Sequence, residues 1–111
     1  MVFRKDIKKY ALISVFDKKN LKYLCQNLNK QNYLFISTGS TSKKIKSLGF
    51  QCIEVSKITK FKEILGGRVK TLNPKIFGSL LFKREDSVHQ NEFKKLNVPK
   101  IDIVIVNLYP F

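Results

Sequence analysis

Residues 10–28 read Tyr-Ala-Leu-Ile-Ser-Val-Phe-Asp-Lys-Lys-Asn-Leu-Lys-Tyr-Leu-Cys-Gln-Asn-Leu. The stretch opens on a short apolar run, Tyr10 to Phe16, of the kind found in a strand buried on both faces of a parallel sheet. Asp17 or Asn20 can then cap a helix. Its apolar residues Leu21, Leu24, Cys25 and Leu28 fall at i, i+3, i+4 and i+7, one face of an α-helix. A buried strand that passes directly into an amphipathic helix is the first half of a βαβ unit.

The same alternation continues along the chain. Tyr33-Leu-Phe-Ile-Ser37 reads as a second strand, and Thr38-Gly39-Ser40-Thr41 opens a second helix that carries Ile45 and Leu48. Gly49, suited to a left-handed cap, stops it. Gln51 to Val55 is a third strand. Ser56 can cap a short helical stretch with Ile58, Phe61, Ile64 and Leu65 on one face. Ile76 to Phe82 is a further apolar run, weakened by Gly78 and read as a strand. Glu85 to Leu96 has a helical pattern, with Val88 and Phe93 expected to point inward, and Val98-Pro99 ends it. Ile101-Asp-Ile-Val-Ile-Val106 is the clearest buried strand of all. Strands and helices alternating in this way predict right-handed crossovers and a three-layer, doubly wound α/β fold. The expected sheet is mainly parallel, with about five strands in one domain over residues 1–111.

Composition narrows the function classes. A chain of 111 residues, 43% hydrophobic and 27% charged, can bury one real core. No apolar run approaches the roughly 20 residues of a membrane span. Met1 to Asp6 leads straight into a polar stretch without a signal-peptide core, so a cytosolic protein with no membrane partner is expected. Cys25 and Cys52 are isolated and His89 is the sole histidine, which argues against a metal site and against a Ser-His-Asp arrangement. The net charge of +14 is spread from Lys5 to Lys100, mostly as lysine between apolar positions. Aromatic residues are not interleaved with arginine as a stacking platform requires, so no nucleic-acid partner is expected.

Residues 66–74, Gly-Gly-Arg-Val-Lys-Thr-Leu-Asn-Pro, carry the strongest chemical signal. Adjacent glycines let backbone N–H groups approach a ligand. Arg68 can grip a phosphate bidentately, Lys70 supplies a mobile charge and Thr71 a hydroxyl. In open α/β sheets ligands bind beyond the carboxyl ends of the strands, at the switch in strand order. Three more polar segments fall at such ends: Asp17-Lys18, Thr38-Gly39-Ser40-Thr41 at a helix entry, and Asn107-Leu108-Tyr109. The free N–H groups and positive dipole of that helix entry favour an anion. The P-loop and dinucleotide glycine spacings are both absent, so a monophosphate suits the pocket better than a triphosphate or NAD.

Four ordered motifs then bear a family resemblance. Ala11-Leu-Ile-Ser-Val-x-Asp-Lys18, Ile36-Ser-Thr-Gly-x-Thr41, Gly66-Gly-Arg-Val-Lys-Thr-Leu-x-Pro74 and Val106-Asn-Leu-Tyr-Pro-Phe111 closely resemble the N-terminal part of the bifunctional AICAR transformylase/IMP cyclohydrolases of purine biosynthesis. The resemblance runs from about Tyr10 to Phe111. It implies a methylglyoxal-synthase-like fold and the ring closure of formyl-AICAR ribotide to IMP with loss of water. The carboxamide nitrogen attacks the formyl carbon within one molecule, so the resemblance implies no cofactor and no metal for this step. Formyl-tetrahydrofolate belongs to the family's separate transformylase domain. By motif position, Lys18 and Thr38, Gly39, Ser40 and Thr41 would cradle phosphate and ribose with Asp17 beside them. Arg68, Val69, Thr71 and Asn107 would line the base. Lys70 would polarise the carboxamide or steady the oxyanion, and Tyr109 would orient the formyl group. A homodimer is implied for the full-length enzyme. The family's domain continues past the Tyr-Pro-Phe motif and adds an Asp and a Lys to the site, so an incomplete C-terminal side is expected here.

The chain departs from the family pattern at Phe16, Ser40, Asn73 and Phe77, and at Gly78-Ser79, where Gly-Gly or Ala-Gly is usual. Phe16 stands where a small Ser is usual and Ser40 where a Gly is usual, both at the phosphate end. Asn73 and Phe77 replace histidines near the pocket wall.

Overall fold

A computed structural model describes residues 9–15, 17–60 and 73–107. In chain order the elements are β1 (Lys9–Ser14), α1 (Leu21–Lys30), β2 (Tyr33–Ser37), α2 (Gly39–Ser47), β3 (Cys52–Glu54), α3 (Val55–Thr59), α4 (Pro74–Leu81), α5 (Ser87–Leu96) and β4 (Ile101–Val106). The four strands form one parallel sheet in the order β3-β2-β1-β4. Lys9 pairs with Tyr33 and Ile13 with Ser37 across β1 and β2, while Phe35 pairs with Cys52 across β2 and β3. The α/β reading of the sequence is thus the fold observed.

Alternate residues of β1 and β2 serve two cores, as the two-residue strand period requires. On one face Ala11, Ile13 and Phe35 pack with Leu21, Cys25 and Leu28 of α1 and Ile45 of α2. Leu12 and Ile36 lie on the other, with Val55 of α3, Ile76 of α4 and Ile101 of β4. Phe50 meets Phe35 edge to face, with ring centroids 5.8 Å apart. Helices therefore cover both faces of the sheet, and α5 stacks beyond α4 through Phe93 on Phe82.

Three expectations are corrected. Ile76–Phe82 forms no strand: residues Pro74–Leu81 are helix α4, so the described sheet has four strands. Asn73 accepts a hydrogen bond from Lys75 N at 2.9 Å and Pro74 occupies the first turn, a combination that starts a helix. The buried residues then fall at helical spacing, Ile76 and Ser79, while Phe77 and Leu81 are exposed. Among the described residues β4 is an outer strand, with Asp102, Val104 and Val106 exposed. Its register shifts between the partners of Tyr10 and Ala11, which pair with Ile101 and Ile103 and leave Asp102 as the extra residue. Val88 points outward at 62% exposure, leaving Phe93 as the inward aromatic of α5.

Smaller boundaries also moved. Glu54 precedes α3, so Ser56 lies inside that helix, which closes at the left-handed Lys60. Phe61, Ile64 and Leu65 lie outside the described residues. Gly49 has φ +96°, as expected of the residue that follows α2.

Candidate functional site

The candidate site is assembled where β1, β2 and β4 end. β1 is the switch strand: the chain leaves it toward β2 with α1 and α2 on one face and later returns to β4 with α3, α4 and α5 on the other. Such a switch opens a crevice at the carboxyl ends of the strands. Asp17 and Lys18 follow β1, Thr38 to Thr41 follow β2, and Asn107 follows β4. These predicted site residues share one end of the sheet.

Local sequence explains each placement. Thr38 has extended backbone at φ −126° and ψ 153° and turns the chain into α2, whose first residues are Gly39, Ser40 and Thr41. Gly39 has φ +48°, a left-handed angle that a side chain would make costly. The buried Thr41 faces β1: its Oγ1 donates to Val15 O at 3.0 Å and accepts from Val15 N at 3.4 Å. Thr38 is also buried, and Ser40, the residue in place of the usual Gly, is exposed. Beneath them the Ser37 hydroxyl donates to Ile13 O and ties β2 to β1.

The β1–α1 loop is fastened from the opposite side too. Asp17 N donates to Asn107 Oδ1 at 3.3 Å, and Asn107 Nδ2 donates to Asp17 O at 2.9 Å. Asp17 Oδ1 accepts from Lys19 N at 2.9 Å, a local turn bond in place of a true helix cap. Asn20 precedes α1 without a capping side-chain bond. Lys18 Nζ donates to Val15 O at 3.0 Å. A cavity of about 480 Å³ lies alongside, between α1 and the end of β4, with Asp17, Asn20, Leu24, Ile105 and Asn107 in its wall.

Arg68, Val69, Lys70, Thr71 and Tyr109 lie outside the described residues, as does Phe16. Of the nine-residue glycine loop, Asn73 and Pro74 are described and start α4. Sequence reasoning missed the Val15 carbonyl, which accepts from both Lys18 and Thr41. No side-chain pattern can announce a backbone oxygen. Among the described residues no group of three or more His, Cys, Asp or Glu could hold a metal ion, and no helix is long and apolar enough to cross a membrane. His89 accepts from Lys83 N through Nδ1 at 2.9 Å, remote in sequence from these segments.

The cysteines are free thiols inside the α1–α2 face. Burial pushes the Cys25 thiol up to about 11, with neighbouring Cys52 adding to the shift. Burial also raises Cys52, partly offset by the Ser42 hydroxyl and the Lys46 charge.

Comparison with known proteins matches residues 20–111 to the MGS-like domain family. The bifunctional purine biosynthesis protein PurH of Lactobacillus acidophilus is 52% identical over 103 residues, 93% of this chain and 20% of that protein. PurH of Clostridium acetobutylicum is 48% identical over the same length, and that of Bacteroides thetaiotaomicron 46%. The chain thus spans about a fifth of the length of these relatives. Among solved structures, the crystal structure of ForH superposes with a TM-score of 0.80 at 27% identity, covering 94% of this chain and 54% of that one. With its parallel sheet and helices on both faces, the chain belongs to the MGS-like domain family and matches the PurH proteins over that domain.

Proposed function

We propose that this chain is an IMP cyclohydrolase module that binds a purine ribonucleoside monophosphate and, with its full complement of site residues, closes formyl-AICAR to IMP. The observation that carries the reading is the convergence of Asp17-Lys18, Thr38–Thr41 and Asn107 at the switch point of a fold matched at 52% identity by a purine biosynthesis protein. The helix entry at Gly39 to Thr41 and the Lys18 ammonium suit the phosphate. Lys70 would steady the oxygen that gains charge as the carboxamide nitrogen adds to the formyl carbon, and Tyr109 would hold the formyl group. Both reacting groups belong to one molecule, so positioning and electrostatic support can supply most of the acceleration. The reaction as proposed uses no cofactor.

Calorimetry with IMP on the 111-residue chain tests the reading. A Kd below about 1 mM, some −4 kcal/mol, is expected. A flat IMP titration, with strong binding of a generic oligonucleotide that collapses as salt rises, would point to a polyanion surface instead. Where cyclisation is measurable, Lys70→Ala is expected to slow it about 100-fold or more with little change in IMP affinity.

A second reading, ligand binding without chemistry, is favoured by Ser40, which places an exposed hydroxymethyl group at the phosphate end of the site. IMP binding without conversion of formyl-AICAR would select it.

A further inference from the structure

We propose that Asn107 is a positioning residue: its carboxamide pairs with both backbone groups of Asp17 and so sets the β1–α1 loop that carries Lys18, instead of reading the base of a bound nucleotide. The ligand arm of this proposal rests on the function proposed above.

The geometry is reciprocal. Oδ1 accepts from Asp17 N at 3.3 Å while Nδ2 donates to Asp17 O at 2.9 Å, so the side chain imitates the edge of a neighbouring peptide group. Among the genetically encoded side chains of this length, asparagine alone offers a neutral acceptor and donor side by side. Aspartate would set a second oxygen against the Asp17 carbonyl, and serine has one oxygen and a shorter reach. The residue stands directly after β4, the strand beside β1, and therefore reaches across a strand spacing to a segment 90 positions earlier.

Thr41 makes the matching contact two residues upstream. Its hydroxyl bonds both Val15 N and Val15 O from the β2 side, while Asn107 bonds both groups of Asp17 from the β4 side. The loop is bracketed between the two neighbours of β1. Lys18 is the next residue, and its Nζ already turns back onto Val15 O at 3.0 Å. Release of the Asn107 bracket frees the half of the loop from which Lys18 projects, while the Thr41 bracket still holds the strand end. Asn107 thus acts on the phosphate end of a ligand, through Lys18, whereas the family resemblance implies a place beside the base.

Two measurements on the 111-residue chain test this. In amide hydrogen exchange by NMR, Asn107→Ala should speed exchange at Asp17 N–H about tenfold, the loss of one net hydrogen bond, with Ala11 and Ile13 in β1 unchanged. In calorimetry, the same variant should weaken IMP and ribose 5-phosphate by the same factor, about tenfold, because the damage lies in the loop. A loss confined to IMP would mean that Asn107 contacts the base, and it would overturn the proposal. Unchanged exchange at Asp17 would overturn it as well. If neither compound binds the unaltered chain, the function proposed above fails, and the exchange result alone decides the bracket. Should Asn107→Ala not fold, Asn107→Asp keeps the acceptor for Asp17 N–H and removes only the donor. It is expected to move both readouts in the same direction, and no movement would overturn the proposal.

Discussion

Cys25 is fully buried between α1 and the sheet, and its thiol is held in the protonated form well beyond the ordinary value of 9.0, to about 11. The sign of the resulting pH dependence follows from linkage. Below pH 9 the thiol is neutral in folded and unfolded chains alike, so its contribution to stability is fully present. Between about 9 and 11 the unfolded chain loses the proton while the folded one keeps it, and stability falls as pH rises. A shift of this size corresponds to on the order of 2 kcal/mol by pH 11. Urea denaturation across pH 8–11 should show that decline, and Cys25→Ala should flatten much of it while starting from a lower stability, since it leaves a small cavity. A decline equally steep in the variant would assign it to other groups. Chemistry of this kind was only half legible in the sequence. Cys25 could be placed on the apolar side of α1 by its spacing, but its proximity to Cys52 is a product of β3 packing beside β2. The same holds for the site: Thr41 was legible as part of a helix entry, whereas its double bond to Val15 depends on how α2 sits over β1.

The run Ile76–Phe82 shows why helix and strand could be confused. Seven apolar or small residues in a row fit a buried strand as well as a buried helix turn, and periodicity cannot separate them over so short a length. The deciding signal was Asn73-Pro74, a capping side chain followed by a residue that belongs in a first helical turn. The same two residues end the 66–74 glycine stretch, where the ligand chemistry of Arg68, Lys70 and Thr71 dominates the sequence reading. α4 is then anchored to β4 by groups invisible to any pattern. Ser79 Oγ donates to Pro99 O at 2.6 Å and accepts from Ile101 N at 2.9 Å. The Arg84 guanidinium bonds Ser79 O at 3.0 Å and Ile101 O, and it lies 4.0 Å over the Phe82 ring, which stacks on Phe93. A planar fork can hold two carbonyls and an aromatic face together, whereas an ammonium cannot. Arg84→Lys is therefore expected to cost about 1–2 kcal/mol despite conserving charge, read as a lower urea midpoint with an unchanged slope. A midpoint within error of the unaltered chain would remove Arg84 from the packing of α4 on β4.

The net charge of +14 and the edge that the described strands leave at β4 act in opposite directions on the molecule. Among the described residues β3 and β4 each pair with one strand, so both are outer strands. β3 is three residues long and offers little to a partner, and shortness is a common protection of edges. β4 has six residues, with Val104 and Val106 exposed at 48% and 60%. A bulge at Asp102 and the adjacent Lys100–Asp102 ion pair, 3.8 Å apart, protect only its first turn of pairing. Two copies that meet at β4 would pair backbone groups and cover those valines, but they would also bring two strongly positive bodies together. Electrostatic repulsion reaches about 10 Å at 0.1 M salt and about 3 Å at 1 M, so the balance is set by ionic strength. The chain is expected to sediment as a monomer at low salt and to associate with rising concentration near 1 M salt. Val104→Lys with Val106→Lys should keep it monomeric in both, because the change removes the apolar strip and adds charge at the contact. The polyanion alternative has the opposite signature, with affinity highest at low salt and falling as salt rises. Analytical ultracentrifugation of both chains at matched concentrations separates the two. Association that weakens with salt, or that survives both substitutions, would place the contact elsewhere than β4.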